Sequence, residues 1–590
     1  MLSQTLVNVA MGRTPADLVI KNGRWVCVQT GEIIPNTDIA IAEDHIAYVG
    51  PDADHAIGMQ TQVLDAGGRF LVPGLLDAHM HVESGMVTIS EFVRAVVPHG
   101  TTGMFVDPHE IANVFGLKGV KLMVDEAASQ LIHVFVQVPS CVPSAPGLET
   151  PGASISPADV NEAMTWPGII GLGEMMNFPG VIASDEKMHV EMRTTRQSGK
   201  VIGGHYASPD LELPFHGYAA GGAEDDHEGT RLEDAIARAR QGMKVMMRYG
   251  SSWHDVVAQV KAVTENGIDP RHFMLCTDDC HAATLAHEGH MDRVVRHAIS
   301  QGLAPMLAIQ MATINSADHF GVSRELGQIA PGRWADILFV DDLTNFQAQT
   351  VIARGSLLAR DGKMLATIPP YPYPAWAQKS IHLPRKLTSK DFRIPAENLA
   401  AEVTAHVIGV IENQAPTHHL TLRMKPENGE VRPDVSRDIA KIALVERHRG
   451  TGQVQVGLVS GFGLTANCAI ATTVAHDCHH MLVVGTDEAS MAVAANRLAE
   501  TGGGQVVIKD GRLIGEVQLP IAGLISNQPV DIVARHAASV LDGFKACGCE
   551  LNSPNMQLAL LALVVIPELR ISDKGLVDVT KFEFILVVEN

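Results

Sequence analysis

The chain has 590 residues with 45 basic and 66 acidic side chains, and a formal charge of −21 excludes broad electrostatic binding of nucleic acid while leaving room for a small nucleobase ligand. At 46% hydrophobic residues it has enough apolar material for ordinary globular cores. Its length exceeds what one core serves, so roughly two to four domains are expected. The eight cysteines, at 27, 141, 276, 280, 468, 478, 547 and 549, form no CxxC, support neither a zinc ribbon nor a thioredoxin-like motif, and fit a reducing cytoplasm. The opening "MLSQTLVNVAMGRTPADLV" lacks the basic start and apolar core of a signal peptide. The longest apolar run, 558–566, is too short to span a membrane, so no membrane partner is expected.

Residues 1–70 read as short strands and turns, with turn signals at Asn22-Gly23 and Ala66-Gly67-Gly68. The same texture returns after 325, in "LGQIAPGRWADILFVDD" and "QTVIARGSLLARDGKML". Segments 1–70 and 321–385 are therefore expected to build one small β-sandwich domain from both flanks. Between them, 71–320 has the size of a TIM-type (β/α)8 barrel. Strand candidates are 69–79, 101–110, 132–140, 169–176, 201–207, a weak 221–228, 244–251 and 273–279. Helical patterns between several of them, such as 231–242 and 291–302, favour a parallel sheet. A Pro-rich stretch, 366–386, reads as an extended linker. The remainder, 395–590, is expected to be a C-terminal α/β domain, with strand, helix, strand and strand over 480–520.

In such a barrel the polar residues at the C-terminal ends of strands form the site. Those ends carry His79 and His81, then His109 and Glu110, Glu174, His205, His227, and Asp278 with Asp279. A period of two points His79 and His81 to the same side. His79, His81, His205 and His227 with Glu174 and Asp278 make a nitrogen and oxygen donor set suited to Zn, Fe(II) or Mn(II), and sufficient for two metals with positions left open for water. Any one of them alone is as readily an ordinary polar residue at a strand end; coincidence at successive ends is a poor explanation.

The pattern resembles the amidohydrolase superfamily, with His-x-His on the first strand, single His on strands five and six, and Asp on strand eight. Many members carry a carboxylated Lys on strand four; this chain has Glu174 in "GLGEMMNFPG", whose two oxygens can bridge instead. More narrowly, "HMHVES", "DPHEIANV", "GLGEMMNFPGV", "CTDD" and "AHEGHMD", with "SGFGLTAN" and "VVGTDE" further on, resemble the bacterial adenine deaminases over most of the chain. The resemblance implies hydrolytic deamination of adenine to hypoxanthine and ammonia, a metal-activated hydroxide attacking purine C6. It also implies two divalent metal ions, Mn(II) or Fe(II) ahead of Zn(II), and a homo-oligomer.

Under that chemistry Asp278 is expected to accept the proton of the attacking water and pass it to the departing amino group. Glu110 is expected to protonate a ring nitrogen. Asp279 is expected to bind the purine or to sit behind the ligands, and Glu83 to orient substrate or a ligand His. His109 reads either as a substrate contact or as a packing residue, and Asp77 as structural.

Other motifs fail on detail. His81-Val82-Glu83 spells H-x-E, but the P-C-x-x-C of the zinc cytidine deaminases is missing. "PHEIAN" and "AHEGHM" miss H-E-x-x-H, and "TGGGQVV" lacks the context of a dinucleotide site. The cluster "AHDCHH", 475–480, reads as a polar strand-to-loop turn rather than a second metal site. Two rival functions remain: another amidohydrolase opening a cyclic amide, disfavoured by the missing Lys, and a non-catalytic scaffold, disfavoured by the filled ligand positions.

Overall fold

The computed structural model, which describes residues 2–396 and 402–589, divides the apolar segment 69–79 into two strands. Phe70–Pro73 pairs antiparallel with Ile337–Val340, whereas Leu75–His81 enters the barrel. Gly74 makes the change of direction: its N–H donates to the Asp336 carbonyl at 3.0 Å, and a side chain there would collide with Thr102. Apolar residues flank the break on both sides, so the hydrophobic pattern does not mark it, although the Pro73-Gly74 pair does.

The two flanks form one continuous nine-stranded sheet. Phe70–Pro73 joins Leu18–Cys27 on one side and Ile337–Val340 on the other. Leu18, Ile20, Ile39, Ile41 and Ile337 share one apolar cluster, while Val19, Ala40 and Ala42 meet Val9 of the helix Leu2–Ala10 on the opposite face. That is the period-two alternation of a sheet covered on both sides.

The barrel strands are β1 (Leu75–His81), β2 (Thr101–Val106), β3 (His133–Val138), β4 (Ile169–Met175), β5 (Val201–Gly204), β6 (Asp225–Asp226), β7 (Lys244–Arg248) and β8 (Phe273–Cys276). All neighbouring ladders are parallel. At the β5–β6 seam, the N–H of Glu224 donates to the Ile202 carbonyl at 2.9 Å. The ring closes where Asp278–Asp279, just past β8, pairs with Met80–His81 of β1. The weak sixth segment shrinks to two residues, because "GGAEDDHE" offers glycines and acids instead of strand formers. Leu76, Ala78, Phe105, Met246 and Met274 fill an inner apolar layer, with Phe105 stacked on Phe320 at 3.8 Å between ring centroids. An irregular step in the β1–β2 ladder between Asp77 and Met80 accompanies the change from these residues to His79 and His81.

Beyond 402, a second nine-stranded sheet is covered by a helix on each face. Ala443, Val445, Ala471 and Val483 pack on Ala494, Ala495 and Leu498 of the helix Glu488–Thr501. Ile442, Leu444, Ile470 and Val507 join the large cluster that also holds Val533, Val540 and Phe544 of Val530–Ala546 and the barrel's outer residues. The domain docks on the barrel through backbone bonds as well. Ser526 donates to the Met86 carbonyl (2.9 Å) and accepts from the Thr88 N–H (3.0 Å).

The Pro-rich stretch is not a free linker, because its aromatic residues find partners on the barrel. Trp376 lies 5.0 Å from Phe115 between ring centroids and under the Lys118 ammonium at 3.7 Å. The Tyr373 hydroxyl donates to the fully buried Glu126 carboxylate, which also accepts from the Ser90 N–H (2.9 Å) and hydroxyl (2.7 Å). Replacing Tyr373 by Phe leaves a buried acceptor short of a donor and is expected to destabilise the chain by about 1–3 kcal/mol in denaturant unfolding. An unchanged midpoint would show that the Pro-rich strap does not brace the barrel.

Candidate metal centre

The donor side chains converge at the C-terminal end of the barrel, where strand ends bring distant residues together. β1 delivers His79 and His81, β4 delivers Glu174, and His205 and His227 follow β5 and β6 directly. Asp278 lies past β8 with φ of 59°, a left-handed conformation that Asp tolerates better than most residues. Glu174 stands at the centre. Its Oε1 is 3.8 Å from His81 Nε2 and 3.1 Å from His109 Nδ1, while Oε2 is 2.6 Å from His205 Nδ1 and 2.9 Å from His227 Nε2. Asp278 Oδ1 is 3.2 Å from His81 Nε2 and 3.6 Å from His79 Nε2. The His79 and His227 rings stack at 4.0 Å.

These contacts form overlapping groups, each with its donor atoms within 4.8 Å: His79, His81 and Glu174; His79, His227 and Asp278; Glu174, His205 and His227. The shared carboxylate and the open sides of the groups fit a pair of divalent ions. A buried polar atom supports that fit, since His79 Nε2 has no hydrogen-bond partner. His81 Nδ1 is 2.8 Å from the Asp107 carbonyl, which leaves Nε2 toward Asp278. Asp107 Oδ2 accepts from the Glu174 N–H at 2.8 Å. Such outer contacts fix the orientation of ligands. Asp77 is indeed structural: it accepts from the Thr277 N–H (3.0 Å) and hydroxyl (2.6 Å), tying β1 to β8.

Burial alone would push both central carboxyls up. For Glu174, His205, His109 and His227 outweigh it and hold the group well below the usual range. For Asp278, His79, His81 and Arg248 do the same. Conversely, burial opposes the charge on His81, but Glu110, Asp278 and Glu174 raise it well above the ordinary imidazole value. His205, facing Glu228 and Glu174 against its burial, is raised to about 9.

Three of the remaining expected residues line a cavity beside this cluster. Glu83, Glu110 and Asp279 line its barrel wall; His109 does not, and stands among the donors. Glu110 is on the short helix His109–Phe115 after β2, 3.6 Å from His109 Nε2 and 3.9 Å from His81 Nδ1. Asp279 accepts from the Ser84 hydroxyl. Glu83 accepts from the Ile111 N–H at 3.3 Å, and burial followed by the Glu110 charge pushes its carboxyl up to about 8.

Two features escape the sequence reading. Arg248, at the end of β7, donates to Asp278 Oδ2 (3.0 Å), to Asp255 (2.7 Å) and to Glu228. The rule that strand ends carry the site would have singled it out. "AHDCHH" is not simply a turn: docking of the C-terminal domain places His476 on the cavity wall and His476 with Asp477 in a donor group with His109. The signal was the cluster itself; its partner lies more than three hundred residues earlier in the chain.

A parallel barrel with this donor set at its mouth defines a hydrolase of the amidohydrolase class, and residues 70–358 match the amidohydrolase family. Residues 414–583 match the adenine deaminase C-terminal domain. The chain is 62% identical to adenine deaminase 3 of Rhizobium meliloti (strain 1021), over 99% of this chain and 98% of the relative. It is 62% identical to the adenine deaminase of Mesorhizobium japonicum over 98% and 96%, and 57% identical to that of Ruegeria pomeroyi over 99% and 97%. The chain belongs to the adenine deaminase family of amidohydrolases, whose superfamily generally uses divalent metals.

Imidazoles that carry protons beside buried carboxylates must release them before they can ligate. Loading the metal-free protein at pH 7 is therefore expected to release about one proton or more per ion, read with an indicator in weak buffer. Constant pH during loading would contradict the charge arrangement. Glu174→Gln keeps the shape but loses the shared negative charge, so elemental analysis should find less than the wild-type metal content. Full occupancy would refute a bridging role for Glu174.

Proposed function

We propose that the chain hydrolyses adenine to hypoxanthine and ammonia at the cluster around Glu174. One observation carries this reading: a cavity lined by Glu110 and Asp279 lies beside buried donors that share one carboxylate. The adenine deaminase relatives, aligned over nearly the whole chain, supply the substrate. His79, His81, Glu174, His205, His227 and Asp278 would hold two divalent ions. The gathered imidazoles and carboxylates support Mn(II) or Fe(II), and also accommodate Zn(II). Bound there, divalent metal lowers the pKa of water so that a nucleophile is available at neutral pH.

The chain's own residues then manage protons. Asp278, buried and held anionic, accepts the proton of the attacking water and delivers it to the amino group leaving C6. Arg248 keeps its second oxygen occupied, which orients the first toward His79 and His81. Glu110 protonates the ring nitrogen that gains electron density on attack at C6, and recovers a proton from the C6 hydroxyl as ammonia leaves and the carbonyl forms. Asp279 and Glu83 border the purine, and the C-terminal domain excludes bulk water by roofing the mouth. Among the described residues no helix is long and apolar enough to cross a membrane. All eight cysteines are buried and unpaired, which supports a reducing compartment.

An ammonia-release assay on Mn(II)- and Zn(II)-loaded enzyme, offered adenine, adenosine, guanine and cytosine, tests the substrate. Release from adenosine or guanine alone would reject adenine. Asp278→Asn is expected to lower kcat by about 100-fold or more in a protein that melts like wild type. Wild-type turnover in that variant would remove Asp278 from proton transfer. Glu110→Gln should lower kcat by about 10-fold or more, and unchanged kinetics would leave Glu110 structural.

A further inference from the structure

The wall that the C-terminal domain adds to the cavity contains a polar side chain that the fold does not explain. Gln505 lies on an interior strand of the domain's sheet, Gly504–Lys509, its backbone opposite Thr472 on one side and Val517 on the other. It is 6% exposed, and its Oε1 is buried without a hydrogen-bond partner. The side chain lines the same cavity as Glu110 and Asp279, among apolar Val474, Leu524 and Met556. A buried carboxamide with no partner is destabilising, whereas an apolar residue would suit that sheet position and those neighbours. An unpaired group retained at a cavity wall is complementary to something that enters the cavity.

We propose that Gln505 is a specificity-determining residue that reads the N3–N9 edge of adenine, accepting from N9–H and donating to N3. This inference rests on adenine as the substrate and deepens that reading. C6 must face the barrel wall of the cavity, where Glu110 lies, toward the donor cluster that holds Asp278. N3 is directly across the six-membered ring from C6, and N9 is next to it. With C6 toward the barrel, the N3–N9 edge faces the wall supplied by the C-terminal domain. That edge presents an acceptor beside a donor, which a carboxamide matches with two parallel hydrogen bonds, as Gln does on other edges of adenine. The apolar neighbours suit the faces of a flat ring. A substituent at N9, as in a nucleoside, removes the donor and occupies the space of the carboxamide. The free base is thereby selected by a residue more than two hundred positions after β8.

The test compares adenine with 9-methyladenine in the metal-loaded wild type and in Gln505→Leu. Wild type is expected to prefer adenine by about 100-fold or more in kcat/KM. In Gln505→Leu, kcat/KM for adenine should fall about 10- to 100-fold, mainly through KM, and the preference over 9-methyladenine should shrink by about 10-fold or more. A preference equal to wild type, or a loss confined to kcat, would overturn the proposal. Should Gln505→Leu fail to fold, the wild-type enzyme provides a second measurement. 3-Deazaadenine, which lacks the N3 acceptor, should bind as a competitor about 10-fold or more weakly than adenine. Equal binding would overturn the proposal. If wild type releases ammonia from adenine and either result is contrary, only the role of Gln505 falls. If wild type releases none, the substrate reading falls and this inference with it.

Discussion

The structure is organised around a carboxylate that has no business in an apolar interior without company. Glu174 is buried at the end of β4 with imidazoles at both of its oxygens. A buried ion is tolerated only when it is paired and hydrogen-bonded, and removing one partner costs more than the pair contributes. Two members of the cluster are held by further contacts: His81 by the Asp107 carbonyl, and Asp278 by Arg248. The result is a concentration of buried charge that the apolar layer of the barrel supports from below and that divalent cations complement.

The barrel's closure and its chemistry depend on the same strand ends. Asp278–Asp279 pairs with Met80–His81, so the seam that closes the ring also sets Asp278 against the β1 histidines. Asp77 clamps β1 to Thr277 one residue before Asp278. A change at this seam would disturb the ligand set and the ring together. The C-terminal domain completes the arrangement from outside, bringing His476, Asp477 and Gln505 to a mouth that the barrel alone leaves open.

Much of this was legible in the sequence because it is local. His79, His81, Glu174, His205 and Asp278 each follow an apolar strand-like run, His227 follows only the weak "GGAEDD", and the (β/α)8 rule says such positions meet. The alternation of the flanking strands and the strand, helix, strand, strand order over 480–520 are likewise short-range patterns. What stayed hidden is long-range or depends on shape. The run 69–79 divides at Pro73-Gly74, and Thr102, a neighbour only in space, leaves no room for a side chain at Gly74. The Pro-rich stretch reads as extended by composition, but Tyr373 and Trp376 gain more by packing on the barrel than by remaining solvated. "AHDCHH" looks like a turn until His109 is beside it.

The central claim is that one shared carboxylate organises two metal positions for a single hydrolytic event. It is tested most directly by titrating the metal-free protein with Mn(II) and measuring ammonia release from adenine at each step. The account predicts activity that rises to a plateau at about two equivalents of metal per chain. Full activity at about one equivalent, or turnover without any metal, would contradict it.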